Sequence, residues 1–255
     1  MPTAFITGAT AGLGAAFARR LASDGLDLVL LARDGERLER AAAGLRDRYA
    51  VRAETLRADL STEEGLAAAE ERARGDVDLL VNNAGFGNKG KFLDVPVSDE
   101  TTMLRVHCEA VLRLTHAALP PMLDRGRGAV VNVASVAAFT ARGTYGASKA
   151  WVVAFSEGVA ADIAGRSRGR VHVMALCPGF VHTEFHDRAR MDMSGVPDFM
   201  WLEDEAVVDA ALRDLRRGAR ISVPGAQYKT IVGVTRLLPR GLVARLSSDR
   251  GRKYT

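Results

Sequence analysis

Thr7-Gly8-Ala9-Thr10-Ala11-Gly12-Leu13-Gly14 stands between an apolar run over 4–7 and a stretch of helical period over 12–24. A strand that ends in a tight turn and feeds straight into a helix points the helix's free N–H groups at whatever lies above the turn. Glycines let the backbone approach a ligand closely, and the helix dipole favours an anion. The turn reads as a diphosphate site; the plainer reading is a tightly packed strand-to-helix corner. Its spacing is not the G-x-G-x-x-G of the common dinucleotide fingerprint.

The same alternation continues down the chain. Apolar runs of strand length recur at 27–33, 53–58, 77–82, 129–135, 171–177 and 221–223. Stretches of helical period fill 34–48, 62–74, 99–124, 144–164 and 203–217. Strands buried on both faces with helices between them predict an α/β fold: a doubly wound parallel β-sheet of about seven strands in a three-layer αβα sandwich. No internal repeat, low-complexity linker or composition break divides the chain, so residues 1–255 read as one domain.

A second stretch, Thr144-Tyr145-Gly146-Ala147-Ser148-Lys149, sets a phenol and an ammonium one helical turn apart. A free tyrosine ionises near about pH 10, and a neighbouring cation is expected to lower that value. Such a tyrosine can give and take a proton at a substrate oxygen. Alone, Tyr-x-x-x-Lys is equally a surface lysine beside an ordinary tyrosine. Its company decides: Ser135 ends the run over 129–135, and the glycine turn opens the chain. The T-G-x-x-x-G-x-G pattern over 7–14, Ser135 and the Tyr145/Lys149 pair together resemble the short-chain dehydrogenase/reductase family over nearly the full length.

That resemblance implies a Rossmann-like, nicotinamide-dependent oxidoreductase acting on CH–OH or C=O groups. In it Ser135 orients the substrate oxygen, Tyr145 exchanges the proton, and Lys149 lowers the phenol pKa and binds the nicotinamide ribose. Gly8, Thr10, Gly12, Leu13 and Gly14 would hold the diphosphate. Asp59 and Leu60 match the position that meets the adenine; Ser61 is expected to cap the following helix and leave Asp59 free. Asn83, Ala84 and Gly85, from Asn82-Asn83-Ala84-Gly85, would lie along the adenine ribose. Pro178, Gly179, Val181 and Thr183, from a P-G-x-x-x-T turn, would meet the nicotinamide carboxamide.

In Leu31-Ala32-Arg33 no acid precedes the arginine, and a guanidinium grips a 2′-phosphate. NADP(H) is therefore expected over NAD(H), with Asp34 capping the next helix. Two departures from the family pattern stand out. His107 occupies a position usually held by asparagine, where a structural role and a catalytic one are both open. The connection between Ser135 and Tyr145 is short, which should reshape one wall of the substrate pocket.

Composition narrows the partners. The 35 Lys and Arg against 31 Asp and Glu leave a net charge of +4, with arginines mixed among acids as on solvated helix faces, so no nucleic-acid partner is expected. Cys108 and Cys177 fit no disulfide framework or metal spacing, and no metal is expected. No apolar run approaches the roughly 20 residues of a membrane span, and the strand-like start leaves no room for a leader, so a cytoplasmic protein is expected.

Residues 184–202 lack clean periodicity and carry Phe185, Met191, Met193, Phe199, Met200 and Trp201, which suits a lid over an apolar substrate and ordinary packing alike. A C-terminal extension over 226–255 alternates apolar and basic residues, fitting pocket closure, subunit contact or an acidic membrane surface. The expected activity is hydride transfer between NADP(H) and the carbonyl or secondary alcohol of an apolar small molecule. The resemblance implies a homodimer or homotetramer. An NADP(H)-binding regulatory protein with little turnover is the rival, resting on His107 and the short connection.

Overall fold

A parallel seven-stranded sheet carries the molecule, seen in a computed structural model that describes residues 1–140, 142–167, 169–184, 195–239 and 241–243. Its strands are β1 (Thr3–Thr7), β2 (Asp27–Ala32), β3 (Ala53–Arg57), β4 (Leu79–Asn82), β5 (Gly128–Val133), β6 (Val171–Leu176) and β9 (Ile221–Ser222). They lie in the order β3-β2-β1-β4-β5-β6-β9. The order reverses between β1 and β4, and the crevice outside the carboxyl ends of these two strands is where such sheets take ligands.

Alternate side chains of each strand supply two cores. Ala4 and Ile6 face helices α1 (Gly12–Ser23), α2 (Gly35–Tyr49) and α7 (Asp204–Arg216) through Phe17, Leu38 and Val208. Phe5 faces the opposite layer, α3 (Glu63–Ala73), α5 (Ala110–Arg125) and α6 (Gly143–Ser167), through Leu66, Leu114 and Ile163. β2 is buried at every position, and after Asp27 its residues Leu28–Ala32 are apolar throughout, as burial on both faces requires. The Asp27 carboxylate that opens it is 3 % exposed and accepts bonds from the Arg52 main chain and guanidinium.

Three features depart from the sequence reading. The single helix expected over 99–124 is instead α4 (Val97–Leu104), a π-helical turn (Arg105–Glu109) and α5. The wider turn swings His107 inward, to 1 % exposure. A second, two-stranded parallel sheet joins β7 (Phe180–Val181) to β8 (Trp201–Leu202). Ser61 does not cap α3; Thr62 does, accepting the Gly65 N–H at 3.1 Å.

Of the proposed lid, Phe199, Met200 and Trp201 are described: the first two lie in a 3₁₀ turn (Asp198–Met200), and Trp201 opens β8. Phe185, Met191 and Met193 lie outside the described residues. Helix α8 (Ala226–Leu237) forms most of the described part of the C-terminal extension, whose residues 240 and 244–255 also lie outside. No helix among the described residues is long and apolar enough to cross a membrane, and none of their His, Cys, Asp and Glu side chains cluster as a metal site.

Candidate active site

Helix α1 starts at the glycine turn without the usual N-terminal protection. Ala11 stands at its N-cap with no side-chain hydrogen bond, and no acidic residue occupies the first turn. By contrast, α2 is capped by Asp34 and α3 by Thr62, each with acid in its first turn. A bare helix N-terminus over a glycine turn suits an anionic diphosphate. Gly8 and Gly12 take positive φ, and a Cβ on Gly14 would lie 2.2 Å from the Gly8 carbonyl oxygen. Leu13 packs partly buried against the core.

The turn is fastened from β4. Asn83 donates its side-chain amide to the carbonyls of Thr7 (2.9 Å) and Gly8 (3.2 Å). The main-chain N–H groups of Asn83 and Ala84 both donate to the Thr7 hydroxyl at 3.0 Å. Asn83 thus spends its amide on shaping the turn. Asp59 is not idle either: its carboxylate accepts the Ser61 N–H at 2.9 Å and the Ser61 hydroxyl at 2.7 Å, while Leu60 is buried.

From the opposite side, the methyl of Thr183 covers Gly12, where a Cβ would sit 2.9 Å from it. Arg37 on α2 bonds the Thr10 carbonyl at 3.1 Å and forks onto both carboxylate oxygens of Glu184. Pro178 accepts the Val136 N–H at 3.0 Å, Gly179 follows it, and Val181 pairs with Leu202.

Arg33 is exposed at the end of β2, in an open cleft of about 570 Å³ shared with Asp34, Gly35, Glu36, Glu39 and Arg57. The Arg57 stem lies against Gly35, its Cδ 3.1 Å from where a Cβ would be. Arg57 escaped the sequence reading, because a charged residue at the end of a strand looks like any solvated one.

Ser135 lies just beyond β5 and caps a 3₁₀ turn (Val136–Phe139), accepting the Ala137 N–H at 3.1 Å. Its hydroxyl hydrogen-bonds the Tyr145 phenol, and Tyr145 stands in the first turn of α6. Lys149, one turn on, is 5 % exposed; its ammonium donates to the Val133 carbonyl at 3.1 Å and lies 5.8 Å from the Tyr145 ring centre. Burial holds Lys149 down to about 8.

The depressed phenol pKa expected from Lys149 is not what the site gives. Burial pushes Tyr145 up to about 12, outweighing the Ser135 hydrogen bond and the Arg142 charge that favour the phenolate. In this arrangement the tyrosine is a proton donor at neutral pH.

His107 completes the cluster. Its Nε2 accepts the Phe86 N–H at 3.1 Å, so Nδ1 carries the proton toward the Ser148 hydroxyl, 2.9 Å away. Ser148 donates in turn to the Tyr145 carbonyl at 2.8 Å. The ring meets Tyr145 and Phe86 edge-on, and Gly85 leaves it room: a Cβ there would lie 2.9 Å from Nε2. Desolvation and the nearby Lys149 charge hold His107 well below the ordinary histidine value. It is a neutral wedge between the Gly85-Phe86 loop and the first turn of α6.

Comparison with known proteins agrees with this geometry. The family model described as short chain dehydrogenase matches residues 2–194. A very-long-chain 3-oxoacyl-CoA reductase of Anas platyrhynchos is 30 % identical over 256 residues, covering 95 % of this chain and 78 % of the relative. A short-chain dehydrogenase from Sphingobium yanoikuyae, solved with NADPH, superposes with a TM-score of 0.84 at 35 % identity, over 92 % of this chain and 94 % of that one. A short-chain dehydrogenase/reductase from Burkholderia phymatum, solved with NAD, gives 0.79 at 27 % identity, over 91 % of each.

Proposed function

This chain belongs to the short-chain dehydrogenase/reductase family, and from that premise we propose that it moves a hydride between NADP(H) and the carbonyl or secondary alcohol of an apolar small molecule. The observation that carries the proposal is the Tyr145 phenol, hydrogen-bonded to Ser135 and backed by the buried Lys149 ammonium, at the same end of the parallel sheet as an uncapped helix N-terminus. When bound, the nicotinamide supplies or takes the hydride.

In the reductive direction Ser135 and Tyr145 donate hydrogen bonds to the carbonyl oxygen. Tyr145 then hands its proton to the alkoxide that forms there. The Lys149 charge stabilises the anion that develops on Tyr145, and the Val133 carbonyl fixes where that charge sits. His107 and Ser148 hold the turn that aims the phenol. Since the ring is neutral and fully bonded, His107 supports the turn rather than loss of turnover.

Preference for NADP(H) rests on Arg33, and Arg57 across Gly35 adds a second guanidinium at the same cleft. Two arginines offer charge-assisted bonds to a 2′-phosphate that a 2′-hydroxyl cannot repay. Residues 1–255 are proposed as one catalytic domain, assembling as a homodimer or homotetramer through α5 and α6; light scattering checks the assembly.

The test is NADPH oxidation against a panel of ketones and aldehydes, with Tyr145→Phe and Arg33→Ala alongside. Turnover that vanishes in Tyr145→Phe while NADPH still binds supports the chemistry. A preference for NADPH that falls about tenfold or more in Arg33→Ala supports the cofactor choice. Wild type that oxidises NADH faster than NADPH overturns that choice, and retained turnover in Tyr145→Phe overturns the assignment of the acid.

A further inference from the structure

The P-G-x-x-x-T turn is held by a side chain that arrives 48 residues later, from α8. Tyr228 is 1 % exposed and is among the largest fully buried side chains. Its ring lies directly on Gly179: a Cβ there would fall 1.9 Å from the ring Cζ and 2.1 Å from Cε2. Its hydroxyl accepts the Phe180 N–H at 2.9 Å and donates to the Met200 carbonyl. One phenol thus ties the entrance of β7 to the residue just before β8.

The neighbouring contacts reinforce the same junction. Gln227 donates to the Phe199 carbonyl at 3.1 Å, and the His182 N–H donates to the Leu202 carbonyl at 3.1 Å. Phe180 pairs with Trp201 and Val181 with Leu202. His182 stacks on Trp201 with ring centres 4.6 Å apart. The segment fixed in this way leads straight to Thr183, whose methyl covers Gly12 in the glycine turn. Anything that lets Phe180 drift moves Thr183 against the cofactor groove.

We propose that Tyr228 is a positioning residue for hydride transfer: from α8 it sets the height of Pro178–Thr183, and so the placement of the nicotinamide end of the cofactor, without touching the reacting atoms. The inference rests on the nicotinamide-cofactor reading above. It assigns a role in the active site to a helix beyond residues 2–194, the part matched by the family model. Gly179 follows from the same packing, because no larger residue fits beneath the ring.

The experiment separates the two ends of the cofactor. Tyr228→Phe keeps the ring but removes the bonds to Phe180 and Met200. NADPH and NADH are titrated through nicotinamide fluorescence, with 2′,5′-ADP and ADP as fragments lacking the nicotinamide. The expected result is a loss of about tenfold or more in affinity for the favoured dinucleotide and a changed fluorescence of the bound nicotinamide, with its fragment binding within about twofold of wild type. Gly179→Ala, which must displace the ring, should reproduce that split.

Equal losses for dinucleotide and fragment would show that Tyr228 acts through general stability and would overturn the proposal. Unchanged dinucleotide affinity and fluorescence in both variants would overturn it as well. Wild type that binds neither dinucleotide would overturn the cofactor reading itself, a result distinguishable from either.

Discussion

His107 should make the chain lose stability as the pH falls from 6.5 to 5, and His107→Asn should remove that loss. In the unfolded chain an imidazole takes up a proton near its ordinary value of 6.5. In the folded chain the ring is 1 % exposed, its Nε2 already accepts the Phe86 N–H, and the Lys149 ammonium opposes a second positive charge. The folded state therefore resists a proton that the unfolded state accepts. A depressed histidine value means that stability is full above the unfolded pKa and declines as the pH drops below it.

The slope is about 1.4 kcal/mol per pH unit, so by pH 5 the loss reaches up to about 2 kcal/mol. Urea unfolding of wild type and His107→Asn at pH 8, 7, 6 and 5 measures it. Carboxylates titrate in both proteins and cancel in the difference between them. That difference should shift by up to about 2 kcal/mol across the series in favour of the variant at low pH. Parallel stability curves for the two proteins would refute a buried, neutral His107.

Three further outcomes follow from particular contacts. With Lys149 near 8 and Tyr145 near 12, kcat/KM for the cofactor in the reductive direction should hold steady below about pH 8 and fall above it, as the Lys149 ammonium is lost; Lys149→Met should be slow and lack that limb. Gly14→Ala puts a methyl 2.2 Å from the Gly8 oxygen and 2.5 Å from the Asn83 amide nitrogen, so the turn must open, and titration should show cofactor affinity down by on the order of 100-fold. Arg52→Ala strips the buried Asp27 carboxylate of its guanidinium and should lower the midpoint in chemical denaturation at pH 7.

The parts of the fold legible in the sequence are those governed by local rules. Each of the seven expected strands appears within about two residues of its expected limits; the central ones are marked by apolar runs that burial on both faces demands, while the edge strand β3 (AETLR, partly exposed) is marked by its place between two helical stretches. Asp34 caps α2 as its position before a periodic stretch implied. What the sequence concealed depends on contacts distant along the chain. β7 and β8 are two residues each, too short to show a period, and exist because they meet each other. The π-helical turn has no compositional mark; it accompanies the burial of His107 against Phe86 and Ser148.

The site divides in the same way. Ser135, Tyr145 and Lys149 come together as their spacing implied, since a strand end and one helical turn fix them. Spacing alone points the Tyr145 shift downward, because it reports the neighbouring charge but not the burial that outweighs it. Ser61 in the cap would leave Asp59 free, yet Thr62 holds the cap and Ser61 binds Asp59. Tyr228 was hidden in a tail that reads as basic and amphipathic; the glycine it covers was visible, its partner was not.

The junction of β7 with β8 has a consequence for how this scaffold can be re-engineered. Two chain ends that are already paired in parallel, with the His182 N–H bonded to the Leu202 carbonyl, bring the ends of everything between them together in advance. Closing a loop on such a fixed base costs free energy only as the logarithm of its length, about 0.6 kcal/mol for each doubling. Inserts of other lengths between Glu184 and Gly195 can therefore be tried on the same base, leaving the Arg37–Glu184 pair, the glycine turn and the Ser135–Tyr145–Lys149 residues themselves unchanged.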